Sequence, residues 1–251
     1  MGNDLKWIVV SDIHFPRHDP RKVELFMKVM KYVKPDAIDL AGDIDDADST
    51  SRWAEGTPAS VVSIEDGGVR GTRDFLGELR NGNPDADIHF HDGNHGWTRH
   101  ESYLEKRAPA MLDLITPDTL YQYKDKGIEW HRYNEPPVRR FGDMFVHHGE
   151  SISKHAAESV RNDCLNFGVS LIRGHSHRQG IYNKTYDLTG KILEGYEIGH
   201  LTDESQMDYT TSHDWQAGFL VANVENGVRP FCQLIRIHDY TCYVNGKKFQ
   251  A

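Results

Sequence analysis

The first apolar run, Trp7 to Val10 in KWIVVSDIH, is largely β-branched and too short for a helix, so it predicts a buried strand. DPRKVELFMKVMKYVKP then changes to a helical period. Asp19 is placed to cap the helix, Pro20 suits its first position, and Val23, Phe26, Met27, Met30 and Val33 form one stripe. Pro35 lies just past its end, and AIDLAGD reads as a second strand. Residues 44–69 are rich in Asp, Ser, Gly and Thr, a long excursion with at most a short helix near Trp53. GTRDFLGELRNG is helical and ADIHFHDGNH a third strand. HESYLEKRAPAMLDLI predicts another helix, with Tyr103, Leu104, Arg107, Ala108, Met111, Leu112 and Ile115 on one side. Pro109 should kink it or split it.

The second half begins alike. IEWHRY and DMFVHH read as strands, SKHAAESVRNDCLNFG as a helix, and VSLIRGH as a strand. From Gly180 onward, alternating runs meet at turn signals such as ENG and VNG, the pattern of antiparallel hairpins. Helix-separated strands followed by hairpins predict an α/β fold: a two-sheet β-sandwich flanked by helices, its second sheet closed by antiparallel strands. No repeat, low-complexity tract or long linker interrupts the order, so the expectation is one domain over 1–251 with an inserted loop region at about 44–69.

Composition narrows the function classes. A chain of 251 residues with a formal charge of −9 and a pI near 5.9 lacks the basic surface for indiscriminate binding to nucleic acid or anionic membrane. Three cysteines, Cys164, Cys232 and Cys242, show no CxxC spacing and read as reduced thiols. MGNDLKWIVV is not a signal peptide, Lys6 breaks the myristoylation pattern, and no apolar stretch approaches a membrane span. A cytoplasmic location with no membrane partner is expected. The oddity is the count of 15 histidines, several grouped in DIHF, HFHDGNH, FVHHGE and GHSHRQG.

Ligand sites in open α/β sheets form beyond the carboxyl ends of strands, and each polar cluster lies there. Asp12 and His14 follow the first strand, Asp43 the second, Asn94 and His95 the third; His147, His148, His175 and His177 follow later ones. The ordered set D-x-H, G-D, G-N-H, H-G and G-H-x-H resembles the calcineurin-like metallophosphoesterase family from Asp12 to His177, about two thirds of the chain. Residue by residue, the resemblance implies Asp12, His14 and His177 at one metal, Asn94, His148 and His175 at a second, and Asp43 bridging both. A carboxylate can bridge two cations, while imidazoles and an amide oxygen fill positions without adding negative charge. In the family the ligand histidine precedes glycine, which selects His148 over His147.

The family's G-N-H histidine, here His95, interacts with the phosphate or protonates the leaving oxygen. GNHG carries Gly96 where an acidic residue commonly follows, so the partner of His95 has to come from elsewhere. Asp46 or another acidic residue of 44–69 is the candidate. HFHDGNH also resembles the H-x-H-x-D-H run of metallo-β-lactamase-type hydrolases, but Gly93 and Asn94 stand at the required Asp and His. His89 and His91 are then a polar strand face. DIDDADST resembles a calcium loop but lacks the turn glycine and the closing Glu, and reads as a solvated acidic loop. Arg99, Arg139, Arg140, Arg173 and Arg178 are candidate phosphate or substrate contacts, each weighed against a solvated surface charge, with Arg178 and Arg99 preferred. Tyr209, His213 and Trp215 form a rim or a plain connection.

The expectation from this resemblance is a hydrolase of phosphate esters with two divalent cations, manganese first and iron, zinc or nickel also suited. Its substrate would be a nucleotide, another small phosphoester or a nucleic-acid end. The alternative is a non-catalytic, metal-stabilised scaffold that binds a partner protein.

Overall fold

Both faces of the first strand are buried, which is why its sequence is a continuous apolar run. In the computed structural model, which describes residues 4–207 and 214–251, this strand is β1 (Leu5–Val10). The strands that follow are β2 (Ala37–Ala41), β3 (Asp87–His91), β4 (Ile128–His131), β5 (Val138–Phe141), β6 (Met144–Val146) and β7 (Ser170–Arg173). Then come β8 (Gln179–Tyr186), β9 (Lys191–Ile198), β10 (Gly218–Glu225), β11 (Arg229–Arg236), β12 (Thr241–Val244) and β13 (Lys247–Gln250). The helices are α1 (Pro20–Val33), α2 (Arg70–Gly82), α3 (Trp97–Arg107), α4 (Pro117–Tyr121) and α5 (Glu158–Phe167).

One sheet has the order β11-β10-β1-β2-β3-β4, the other β5-β6-β7-β9-β8, and β12-β13 is a separate hairpin. The neighbours β1, β2, β3 and β4 run parallel, as do β6, β7 and β9. Trp7 and Val9 of β1 face the second sheet and meet Met144, Val146, Ile172 and Ile198. Ile8 and Val10 face the other way, toward Phe26 and Val29 of α1 and Phe75 and Leu76 of α2. On the far side, Leu171 packs against Val160 and Cys164 of α5. The architecture is helices, sheet, sheet, helices, as the sequence predicts.

Several elements differ in detail. The hairpins serve both sheets: β8 and β9 join the second, whereas β10 and β11 extend the first antiparallel to β1. The Asp19 carboxylate caps α1 by accepting from Arg21 N and Lys22 N, but the buried face runs through Leu25, Phe26, Val29, Met30 and Val33, with Val23 and Met27 only half-buried. Helix α3 starts earlier than expected and ends before Pro109, after which Pro109–Met111 makes a single tight turn. Its buried face is Trp97, His100 and Leu104; Tyr103 and Met111 of the expected stripe are exposed. A helix held by its N-terminal turn buries the residues nearest the sheet, including a histidine that apolar periodicity passes over. Helix α4, opened by the Thr116 cap and Pro117, and strand β5 are additions to the expected order, and α5 is shorter than its pattern.

The layer between the sheets is polar near β3. Asp39 accepts from Trp7 Nε1 (2.6 Å) and Arg140 Nε (2.9 Å), and lies 2.7 Å from His91 Nε2. The Arg140 guanidinium also donates to His89 Nε2 (2.6 Å), which leaves His89 Nδ1–H for His131 Nε2 (2.7 Å). Arg140 is therefore a buried structural charge. No helix among the described residues is long and apolar enough to cross a membrane.

The apolar contact between Phe26 and Phe219 (ring centroids 5.2 Å apart, edge to face) fastens α1 to β10. Phe219→Ala should cost about 3–5 kcal/mol, read as a lower urea midpoint at unchanged m-value.

Candidate metal centre

Parallel pairing carries the ends of β1, β2 and β3 to one edge, and β6 and β7 bring theirs from the other sheet. The chain turns sharply there. Asp12, His14, Asp43, His175 and His177 all have left-handed backbones, with φ of 54, 58, 53, 70 and 58°. Such a conformation costs an L-residue roughly 1–2 kcal/mol, and strain of this kind gathers at functional sites. Glycines allow close approach: a Cβ at Gly93 would overlap Asp43 Oδ1, and one at Gly42 would overlap the His148 ring.

The turns bring seven predicted residues together. In one group His177 Nε2 is 3.1 Å from Asp12 Oδ1 and 3.2 Å from His14 Nε2. In the next, His148 Nε2 is 3.0 Å from Asp43 Oδ2 and 3.1 Å from Asn94 Oδ1, and His175 completes a donor cluster. Asp43 Oδ2 also lies 3.9 Å from His14 Nε2, so one carboxylate faces both groups.

Tautomers decide what these atoms offer. His14 Nδ1–H is taken by Asp46 Oδ1 (2.8 Å) and His148 Nδ1–H by the Ala41 carbonyl (2.9 Å). Each then presents the Nε2 lone pair inward when neutral. Asp12 Oδ1 is fully buried with no hydrogen-bond donor. His177 Nε2 lies within ion-pair distance of it, yet the contact lacks hydrogen-bond geometry. Buried acceptors aimed at one another fit positive charge between them, and a set of oxygens and imidazoles without thiolate fits divalent cations.

The titration directions agree. Burial opposes charge on Asp12 and Asp43, but the surrounding imidazoles win and hold both carboxyls well below their usual range. Burial also disfavours charged His14, yet the facing Asp12 carboxylate (3.7 Å) and the hydrogen-bonded Asp46 carboxylate (2.8 Å) push it up to about 10. His175 is pulled down to about 3 by burial and by the His148 and Arg173 charges; His177 is lowered by burial.

His95 sits beside this centre. Its Nδ1 lies 2.9 Å from Asp46 Oδ1, and Arg99 Nη2 approaches its Nε2 at 2.8 Å. Asp46 thus contacts both His14 and His95. The acidic loop is not solvated: Asp45 and Asp46 are buried. Asp45 accepts from Tyr121 OH (2.6 Å) and Ala47 N (2.8 Å) and lies 3.0 Å from His100 Nε2, binding the start of the excursion to α3 and α4. The excursion returns at Gly68, whose backbone abuts the Asp45 carboxylate and the Phe15 carbonyl.

Above lies a cavity of about 800 Å³, lined by Asp43, Asn94, His95, His175 and His177, by Arg17 and Arg99, and by Trp53 and its neighbours. Arg17 has no sequence signal; it donates to Asp48 Oδ2 (2.5 Å) and lies 3.5 Å from Asp46 Oδ2. Arg178 is directed elsewhere, to the carbonyls of Ser153 (2.5 Å) and Asp214 (3.0 Å). Arg173 is fully buried against Asp163 (2.7 Å), and Arg139 pairs with Asp143 at the surface. His147 points away from the centre, with Nδ1 accepting from Gly149 N and Nε2 donating to the Tyr133 carbonyl. His89 and His91 join His131 in the inter-sheet network, whose nitrogens already satisfy one another, Asp39 and Arg140. Tyr209 and His213 lie outside the described residues; Trp215 packs edge-on against His177.

No protein-family model matches the chain. The Gene 54 protein of Mycobacterium phage L5 is 28% identical over 230 residues, spanning 87% of this chain and 88% of the relative. The Gene 54 protein of Mycobacterium phage D29 is 28% identical over 236 residues, 89% and 91%. Among solved structures, Vacuolar Protein Sorting 29 from Cryptosporidium parvum is similar with a TM-score of 0.50 at 14% identity, over 98% of this chain and 94% of that one. This likeness shows the fold, that of the calcineurin-like metallophosphoesterases.

The raised His14 value has a testable sign. The metal-free fold gains stability from protonated His14, fully below the unfolded value of about 6.5 and lost as pH rises through about 10. A dication must displace that proton. Apparent Mn²⁺ affinity should therefore rise with pH from 6 to 9, by about tenfold per unit for one displaced proton. Calorimetry in buffers of different ionisation enthalpy measures the release; pH-independent affinity would count against it.

Proposed function

We propose that the chain hydrolyses phosphate esters with two divalent cations, one at Asp12, His14 and His177, the other at Asn94, His148 and His175, and Asp43 shared. The observation that carries this reading is the convergence of carboxylate, amide and imidazole ligand atoms, with Asp12 Oδ1 buried and unsatisfied among them, beneath a cavity that also presents His95 and Arg99. The shared fold supports it.

When bound, such cations supply Lewis acidity toward phosphoryl oxygens and lower the pKa of water. Two dications against the carboxylates of Asp12 and Asp43 leave a local surplus of positive charge, which attracts phosphate despite the negative chain. The residues do the rest. Asp43 holds its place through one oxygen that accepts from His95 N (2.9 Å), leaving the other between the donor groups. Asp46 fixes the His95 ring through Nδ1; Nε2, which accepts from Arg99 Nη2 (2.8 Å) in this structure, can hand a proton to the leaving oxygen once it is protonated and Arg99 has turned to the phosphoryl group. Arg99 donates into the same space and neutralises charge developing on the phosphoryl oxygens. Gly96 carries no side chain to orient His95; its φ of 58° opens α3, and Asp46 does the orienting from another strand end. Manganese is the first candidate metal, with iron, zinc and nickel compatible with the same donors. Elemental analysis of protein purified without added metal tests that choice; two zinc ions per chain and no manganese would overturn it.

Turnover of a panel of nitrophenyl mono- and diesters should require added divalent metal and fall to background in Asp43→Ala. Full activity in stripped protein or in that variant would refute the reading. A metal-loaded protein inert toward the whole panel would instead favour a non-catalytic scaffold for a partner protein. Asp46→Asn should cost about 10–100-fold in metal affinity or activity, since it weakens the partner of two site imidazoles.

A further inference from the structure

The cavity is larger than a phosphate group needs. At about 800 Å³ it falls in the range of sites for drug-sized ligands, and much of its wall comes from the 44–69 excursion. Trp53 is 73% exposed there, as is Ile152 at 71%, both bordering the cavity. A single exposed apolar residue needs no explanation, but an indole beside a phosphate-directed site does. Its position is braced, because the Arg52 guanidinium packs over the ring at 4.6 Å from the centroid.

A second cavity of about 430 Å³ adjoins the first, and Ser51 lines both. Arg52, Lys106 and Arg107 border it, with the hydroxyls of Ser49, Ser60 and Ser102. Arg107 is paired with Glu55. In a chain of net charge −9, this is a local cationic rim. An aromatic plate between a phosphate-directed floor and a cationic rim presents groups in the order a nucleotide chain requires, in which a base lies between two phosphates.

We propose that the substrate is a short oligonucleotide: its scissile phosphate lies over His95 and Arg99, a base stacks on Trp53, and the next phosphate faces Arg52 and Lys106. This rests on the phosphoesterase reading above. It extends that reading to a substrate class and gives the excursion its task.

The test uses the full chain loaded with Mn²⁺, a hydrolysis-resistant phosphorothioate of a 5′-phosphorylated thymidine dinucleotide as the binding probe, and titration calorimetry. Trp53→Ala should weaken the probe about 5- to 100-fold, and Trp53→Phe should restore most of the loss. The kcat/KM preference for the natural dinucleotide over a glycerophosphodiester without a ring should shrink by a similar factor in Trp53→Ala. Unchanged affinity in Trp53→Ala, no rescue by Phe, or no binding by the native protein would overturn the proposal. The two readings fail separately. Binding through Trp53 without hydrolysis of any ester sinks the catalytic reading, whereas hydrolysis with nucleotide affinity indifferent to Trp53 sinks the stacking.

Discussion

Acceptors face acceptors at the middle of this protein. The buried carboxylates of Asp12 and Asp43, the half-buried Asn94 amide and the inward nitrogens of His14, His148 and His177 approach one another in pairs at 3.0 to 3.9 Å, and Asp12 Oδ1 has no hydrogen-bond donor. In a low-dielectric interior that arrangement is unfavourable unless protons or cations fill the gap. Everything nearby serves to hold it. Parallel strands bring the turns together, left-handed backbones aim the side chains, and bare glycine backbone at 42 and 93 lets ring and carboxylate press close. The sandwich behind it, with apolar residues on both faces of β1, is the rigid mass against which this unfavourable packing is sustained.

Much of this was legible in the sequence because it is locally encoded. A strand ends, a short polar motif follows, and the order of five motifs reports the order of strand ends. Alternation puts His147 and His148 on opposite sides without saying which faces the site; the family's histidine-before-glycine pattern selects His148, and the structure sends His147 to the Tyr133 carbonyl. What was not legible depends on pairs distant along the chain. Arg140 looked like a surface charge until Asp39, about a hundred positions away, took it into the inter-sheet layer. Arg178 sits beside a site histidine yet is directed to Ser153 and Asp214. The acidic run after Asp43 looked solvated since nothing local shows that His14, His95, His100 and Tyr121 converge on it. The α3 face was misread for a similar reason, since His100 is buried by a hydrogen bond to Thr50 and not by its hydropathy.

Asp45 and Asp46, neighbours in sequence, divide two tasks between them. Asp46 touches His14 and His95, and so ties one donor group to the histidine at the cavity floor. Asp45 turns to the opposite side and secures the excursion to α3 and α4. A change in the excursion that disturbed Asp45 would therefore be felt by Asp46 through a single peptide unit, coupling the cavity wall to the chemistry beneath it.

The excursion leaves the sheet edge at Asp45 and comes back at Gly68, where the two meet in van der Waals contact. A loop whose ends already touch closes no additional long gap, and its length has little thermodynamic consequence for the body it decorates. No strand pairing depends on what lies between. Such a unit is interchangeable beyond Asp46: a different cap grafted between Asp46 and Gly68 would re-tool what the cavity accepts while leaving the donor cluster beneath it untouched.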